Sequence, residues 1–190
     1  LVLIWTSLQP YFSMPSMDAL ARVTLSNYQA LLDLNQFKAA LTNTLFVSLA
    51  VATATMLLSS LTAWMAVRGR FRGSSIPDFL TFVNTAVPSV VFGLAIMLVY
   101  LSFPIVRIYG TIWIIVLGLT VGYTAFGSRA MNGAVTQIHS ELEEAGKVSG
   151  ATWGTIMCRI ILPLLLPAFV SGWIWIASHS LRSFSVPLIL

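Results

Sequence analysis

Charge is what this sequence has least of. Only 8% of its 190 residues are Asp, Glu, Lys or Arg, where a soluble domain carries about a quarter. With 57% hydrophobic residues and a mean hydropathy of +0.89, the chain is excluded from the water-soluble class and reads as a multi-span membrane protein. Cysteine is nearly missing too. The single Cys158 excludes an internal disulfide and a cysteine-held metal cluster. Histidine is scarce, and His139 and His179 fall at opposite membrane faces, which argues against a shared metal site. No Gly-x-x-x-x-Gly-Lys-Ser/Thr phosphate loop occurs, so the chain does not hold ATP by that device. None of the long apolar segments carries an ionisable residue near its middle, which argues against a proton-driven secondary transporter. No basic stretch and no initiator methionine precede Leu1, so no cleavable signal is read and the sequence is expected to be part of a longer chain.

What is present is a series of apolar segments. Leu1 to Phe12 is apolar, but a helix of that length rises only about 18 Å against roughly 30 Å of hydrocarbon. It reads as the outer end of a first span. Residues 13 to 38 are polar, and Ser26 with Gln29 forms a possible capping box for a short surface helix near Tyr28. The second span is read from about Ala39 to Val67, with Ala50 and Ala54 spaced for close helix contact. Arg68, Arg70 and Arg72 follow in a Gly/Ser-bearing loop. The third span, about Phe79 to Phe103, contains Pro88, whose missing donor predicts a kink. A tight loop with Arg107 and Gly110 leads to a fourth span, about Thr111 to Ser128, in which Gly118 and Gly122 form a GxxxG pair. A fifth span covers about Ile160 to Leu181, with Pro163 and Pro167 at its base.

Basic residues orient these segments. Arg68, Arg70, Arg72, Arg129, Lys147 and Arg159 fall on one side; Arg22, Lys38, Arg107 and Arg182 fall on the other. The richer side is assigned to the cytosol, because the arginine cluster abuts a span end, where the positive-inside bias acts most strongly. The net charge of +4 is explained by these loops, and no nucleic-acid partner is expected. Trp64 and Trp113 near span ends read as interfacial belt residues. Trp173 and Trp175 read as packing inside the fifth span, and His179 as an interfacial histidine satisfied by water.

Half of the acidic residues, Glu141, Glu143 and Glu144, crowd into the stretch from Ser140 to Pro163. By themselves they read as a solvated first turn of a helix rather than an acid-base pair. Ser140 and Glu143 form a capping box, so a helix is predicted from Glu141. Glu143 and Lys147 stand at i,i+4 in the favourable order. Gly150 can end that helix in the left-handed conformation, and Thr152 can cap the next. The expectation is a short helix, a sharp turn, and a second helix entering the membrane.

Within this stretch Glu144-Ala145-Gly146, then Gly150, then Ile160 and Leu162-Pro163 stand at fixed separations of three, nine and one residues. That order resembles the EAA loop of bacterial ATP-binding-cassette importer permeases, the membrane subunits of binding-protein-dependent uptake systems. The one departure is Gly146, where the family usually has a second alanine; it is expected to loosen the helix slightly. The resemblance covers nearly the whole chain. It implies an all-α, MetI-like transmembrane domain over 1–190 with about five spans, and a cytosolic coupling loop at 137–163. It further implies that Glu144, Ala145, Gly146, Gly150, Ile160, Leu162 and Pro163 serve docking to a dimeric cytosolic ATPase. The other implied partners are a second permease half, identical or fused, an extracytoplasmic substrate-binding protein, and membrane lipid. The chain itself would bind no cofactor, ATP being used by the ATPase subunit. Ser183 to Leu190 resembles the family's short outer turn before a further span. In wording the spans are most similar to ferric-iron uptake permeases; polyamine, thiamine and phosphonate systems share much of it. A secondary transporter, a channel and a membrane-embedded enzyme are the rival classes. The first two would carry polar gating groups in mid-span, and the third would cluster His, Asp or Glu at one face.

Overall fold

The computed structural model describes residues 1–14, 16–69, 72–102, 110–183 and 185–189, with the side chain of Ser185 set aside. Arg70 and Arg107, two of the residues used for orientation, lie outside them, as does the end of the third expected span. Among the described residues there are helices and no strands. The chain divides into two compact units, Leu1–Leu45 and Phe46–Leu190.

In the first unit the expected apolar helix is short: α1 covers only Val2–Ser7. Gln9 follows, and its buried amide donates to the Ala19 carbonyl at 2.9 Å, at the end of which stretch lies α2, Met17–Leu20. Ser16 caps α2 by accepting from the Ala19 N–H at 3.1 Å. The surface helix near Tyr28 exists as α3, Ser26–Asp33, but the expected capping box does not. Ser26 is already helical, and its own N–H is taken by Thr24 Oγ1 at 3.2 Å. Asn27 ties the helix back, donating to the carbonyls of Ser7 and Gln9.

The second unit is built on three long helices: α4 (Asn35–Arg68) from Phe46 onward, α7 (Ile112–Gln137) and a path from Trp153 to Leu181. Each is long and apolar enough to cross a membrane, and a bent pair between the first two makes a fourth if counted as one span. Their most apolar windows bury only 33, 44 and 22% of their residues within the chain, so most of the apolar surface faces outward, as lipid-facing helices require.

The seam between α4 and α7 is made of small and hydroxyl-bearing residues. Ser48, Ala52, Thr55, Ser59 and Thr62 are all buried, and their alternating four- and three-residue spacing puts them on one stripe. Thr55 and Ser59 donate to the carbonyls of Thr120 and Thr124, and Thr62 meets Ser128 Oγ at 3.0 Å. Each partner lies 65 or 66 positions later, so the two helices run parallel. The expected contact residues Ala50 and Ala54 sit beside this stripe and are only half-buried. The glycine pair is corrected in the same way: Gly118 is buried, but a side chain at Gly122 would meet nothing within 4 Å. The closest approach is at Gly127, where a Cβ would stand 2.3 Å from Ser59 Oγ and 3.0 Å from its Cβ.

Helix α7 runs nine residues past the expected end at Ser128. Its polar continuation is accommodated by α5 (Ile76–Val83). Asn132 donates to Asp78 Oδ1 at 2.7 Å, and the Arg129 guanidinium lies 4.5 Å over the Phe82 ring. The third expected span is not one kinked helix. Helix α5 runs into a 3₁₀ turn at Asn84–Ala86, and α6 (Ser89–Ser102) leaves at a bend of 112°. Pro88 forces its predecessor out of the helical region, and Val87 is extended, with ψ 124°. Asn84 pins the bend by donating to the Val121 carbonyl at 2.9 Å. After α7 come α8 (Glu141–Val148), α9 (Trp153–Ile156), a π turn at Met157–Ile161, α10 (Leu162–Leu181) and α11 (Ser185–Ile189). The membrane helix thus starts well before Ile160. Pro163 cannot donate to Arg159 and its ring crowds that carbonyl, and the wider π turn at Arg159 relieves the clash.

Candidate functional site

The stretch from Ser140 to Pro163 folds as a helix, a turn and the foot of the membrane helix. Helix α8 starts at Glu141 as expected, but the capping box is not made. Ser140 already has helical angles and its side chain caps nothing. The Glu143 carboxylate turns instead toward Arg68 at the end of α4, with Oε1 3.4 Å from Nε. The same guanidinium donates through Nη2 to the Ile138 carbonyl, where α7 has just ended. Arg68 therefore joins three helix ends. Sequence reasoning used it only as an orientation marker; its place in the last turn of α4 was the available signal.

Gly150 closes α8 as predicted, with φ +78°. Its N–H bonds to the Lys147 carbonyl, and the Ala151 N–H bonds to that of Gly146, both at 3.0 Å. This is the complete Schellman pair. Thr152 then caps α9, accepting from the Thr155 N–H at 3.4 Å.

Of the residues singled out, Glu144 and Ala145 are exposed on α8, and Gly150 is exposed at the turn. Gly146 is buried against the foot of the membrane helix. A Cβ there would stand 2.8 Å from Ile156 Cγ1 and 3.7 Å from Ile160 Cδ1. The missing methyl lets α8 lie close against α9, and α8 stays regular. Ile160 is part-buried beside Gly146, whereas Leu162 and Pro163 begin α10 and face outward. Leu142 and Val148 on α8 and Trp153 at the start of the membrane path are also exposed, at 43, 89 and 64%, so apolar surface lies near Glu144. A polar cleft of about 390 Å³ opens beside α8, lined by Trp64, Arg68, Glu143, Glu144, Lys147 and Trp153 among others. Trp64 lines this cleft near the end of α4, and Trp113 is half-exposed at the start of α7.

A second cavity, about 340 Å³, lies at the 112° bend. Asn84, Ser89, Tyr123, Phe126, Trp175 and Ser183 contribute to its wall, and among the described residues no Asp, Glu, Lys or Arg does. Trp175 stacks between Phe126 and His179, both ring centroids 3.7 Å away, and Tyr123 meets it edge-on. His179 Nδ1 lies 3.0 Å from the Trp175 carbonyl. Trp175 and His179 stand one helical turn apart, so the stack was accessible to a reading of spacing; Phe126, on another helix, was not. Trp173 packs as expected, its Nε1 donating to Thr53 Oγ1 at 3.0 Å.

An all-α, multi-pass membrane protein with a helix–turn–helix loop between two of its spans is the class that this fold and site define. Within that class the chain belongs to the family of binding-protein-dependent transport system inner membrane components, whose pattern matches residues 55–190. It is a multi-pass protein of the inner membrane. A ferric transport system permease protein of Haemophilus influenzae, FbpB 1, is 33% identical over 79% of this chain and 24% of its own length. The putrescine transport system permease protein PotI of Escherichia coli is 30% identical over 68% of this chain and 48% of its own. The chain therefore spans less than half the length of these relatives. Among solved structures, the MetNI methionine ABC transporter in an inward-facing form matches with a TM-score of 0.55. That likeness is 18% identical, covers 78% of this chain and 73% of the other, and speaks to the fold.

Proposed function

We propose that this chain is the permease subunit of an ATP-binding-cassette importer, forming half of a solute pathway and coupled through the 140–163 loop to a separate ATPase. The observation that carries the reading is the Schellman turn at Gly150, which joins an exposed α8 to the membrane path 153–181 with no slack between them. A short helix held this way transmits displacement as a lever does. Glu144 and Ala145, with the apolar Leu142, Val148 and Trp153 around them, supply a surface for a cytosolic partner. A second permease half and an extracytoplasmic binding protein complete the assembly. ATP is hydrolysed by the partner and not by this chain.

The ferric ion is the preferred solute, on the strength of the ferric permease relative and the similar wording of the spans. A polyamine is the second reading, favoured by the putrescine permease relative. Glu144→Lys in the intact permease tests the coupling role. It should abolish ATPase co-purification and uptake while membrane levels stay near normal, and full uptake with ATPase bound as before would reject the docking role. Radiolabelled ferric iron and putrescine offered to cells lacking the intact gene separate the solutes. Loss of putrescine uptake with iron uptake intact moves the assignment to the polyamine.

A further inference from the structure

We propose that Arg68 is a positioning residue that carries the movement of α8 directly into α4, a second line of coupling beside the covalent one through Gly150. The inference rests on the reading of α8 as the ATPase-docking helix. Its structural basis is a single side chain placed where three helices end. Arg68 is the last residue of α4. It donates to the carbonyl of Ile138, the C-cap of α7, and carbonyls at a helix end lack partners within the helix. Its Nε also lies 3.4 Å from Oε1 of Glu143, in the first turn of α8, with the two side chains 19 and 20% exposed.

The two contacts differ in kind. The bond to Ile138 is directional and anchors the guanidinium to the α7 end. The contact with Glu143 lacks hydrogen-bond alignment, both atoms being buried without such a partner, so charge holds it. An attraction of this kind tolerates rotation and behaves as a pivot. Ser140 makes no competing cap, and among the described residues Glu143 supplies the ion-pair link from the start of α8 to α4. The 390 Å³ cleft beside the pair provides room for α8 to swing. What α4 receives it passes on. Its hydroxyl seam grips α7, and Ser48 Oγ donates to the Ala177 carbonyl of α10 at 2.8 Å. Both α7 and α10 supply walls of the cavity at the bend.

The test uses the assembled transporter with Cys158→Ser and spin labels at Leu61→Cys on α4 and Glu141→Cys in the first turn of α8, beside the pivot. With Arg68 present, the distance between the labels should stay constant when ATP is added, because α4 follows α8. Arg68→Gln should make that distance ATP-dependent. It should leave the ATPase bound and lower solute uptake per ATP hydrolysed by roughly 2- to 30-fold, the range that changes in coupling elements produce. Arg68→Lys keeps the charge but not the two-armed donor geometry, and should fall between. Glu143→Gln added to Arg68→Gln should lower the ratio no further, since the contact is already gone. Unchanged label distance and unchanged uptake per ATP in Arg68→Gln, with ATPase bound, would overturn this inference alone. Failure of the unmodified permease to bind an ATPase would overturn it together with the docking role of α8.

Discussion

At Gly150 the chain adopts φ +78°, and a side chain there would meet no atom within 4 Å. The constraint is therefore one of backbone conformation, not of space. Gly150→Val places a β-branched residue in the left-handed region, at a cost of about 1–3 kcal/mol of local strain. Because the spans are untouched, the variant should insert at normal levels yet lose uptake; full uptake in a transport assay would remove the turn from the coupling path. Gly127 and Gly172 pose the opposite problem, and they differ from each other. A Cβ at Gly127 meets Ser59 on the buried seam, including its Cβ, whereas one at Gly172 meets only the Sδ and Cε of Met56. Gly127→Val should lower stability by about 1–3 kcal/mol through overpacking. Gly172→Ala should be close to neutral, since the end of Met56 can rotate away and alanine favours a helix by about 1 kcal/mol over glycine. Thermal unfolding in detergent reads both, and a Gly172→Ala variant as unstable as Gly127→Val would contradict this account.

The bend between α5 and α6 is an element-scale device with two separable causes. Pro88 removes a helical donor and holds Val87 extended, and Asn84 fastens the corner to α7. Replacing both, Pro88→Ala with Asn84→Ala, should let the two helices approach one straight span. Labels at Leu80 and Leu98 would then separate toward about 27 Å, the rise of one continuous helix. Either substitution alone should shift them less, and no shift in the double variant would place the cause of the bend elsewhere. The capping box at Ser140 fails for a related reason. Glu143 is drawn to a cation from another helix instead of its own backbone, and one sequence window does not contain that competitor. The Schellman turn at Gly150 and the Thr152 cap use only neighbours within a few residues, and both were legible.

For the whole molecule, the arginine at the end of α4 and the loop carrying α8 lie at the same end of the long helices, as their ion pair requires. The positive-inside bias leads us to propose that this end faces the cytosol. Cysteines introduced at Ser74 and Ser140 should label from the cytosol, and one at Ser16 from outside, in intact cells and inverted vesicles. Labelling of Ser74 and Ser16 from one side would refute the topology argued here.

Some of this architecture follows from the amino-acid order alone. A segment in hydrocarbon must satisfy its backbone internally, so apolar length predicts the long helices, and the separations from Glu144 to Pro163 predict the loop. Which face of each helix turns inward is a different matter. In lipid an apolar residue gains little from burial against another helix, so small hydroxyl-bearing residues can occupy the interface while leucines face outward. Hydrophobicity therefore does not mark the buried face. Ala50 and Ala54 suggested a contact beside the true stripe of Ser48, Thr55, Ser59 and Thr62. The sharpness of the bend at Val87, the depth of Gly146 against Ile156, and the meeting of Arg68 with Glu143 were likewise decided by tertiary packing. Each depends on which groups a neighbouring helix brings near, and the physical forces that choose between them act across space rather than along the chain.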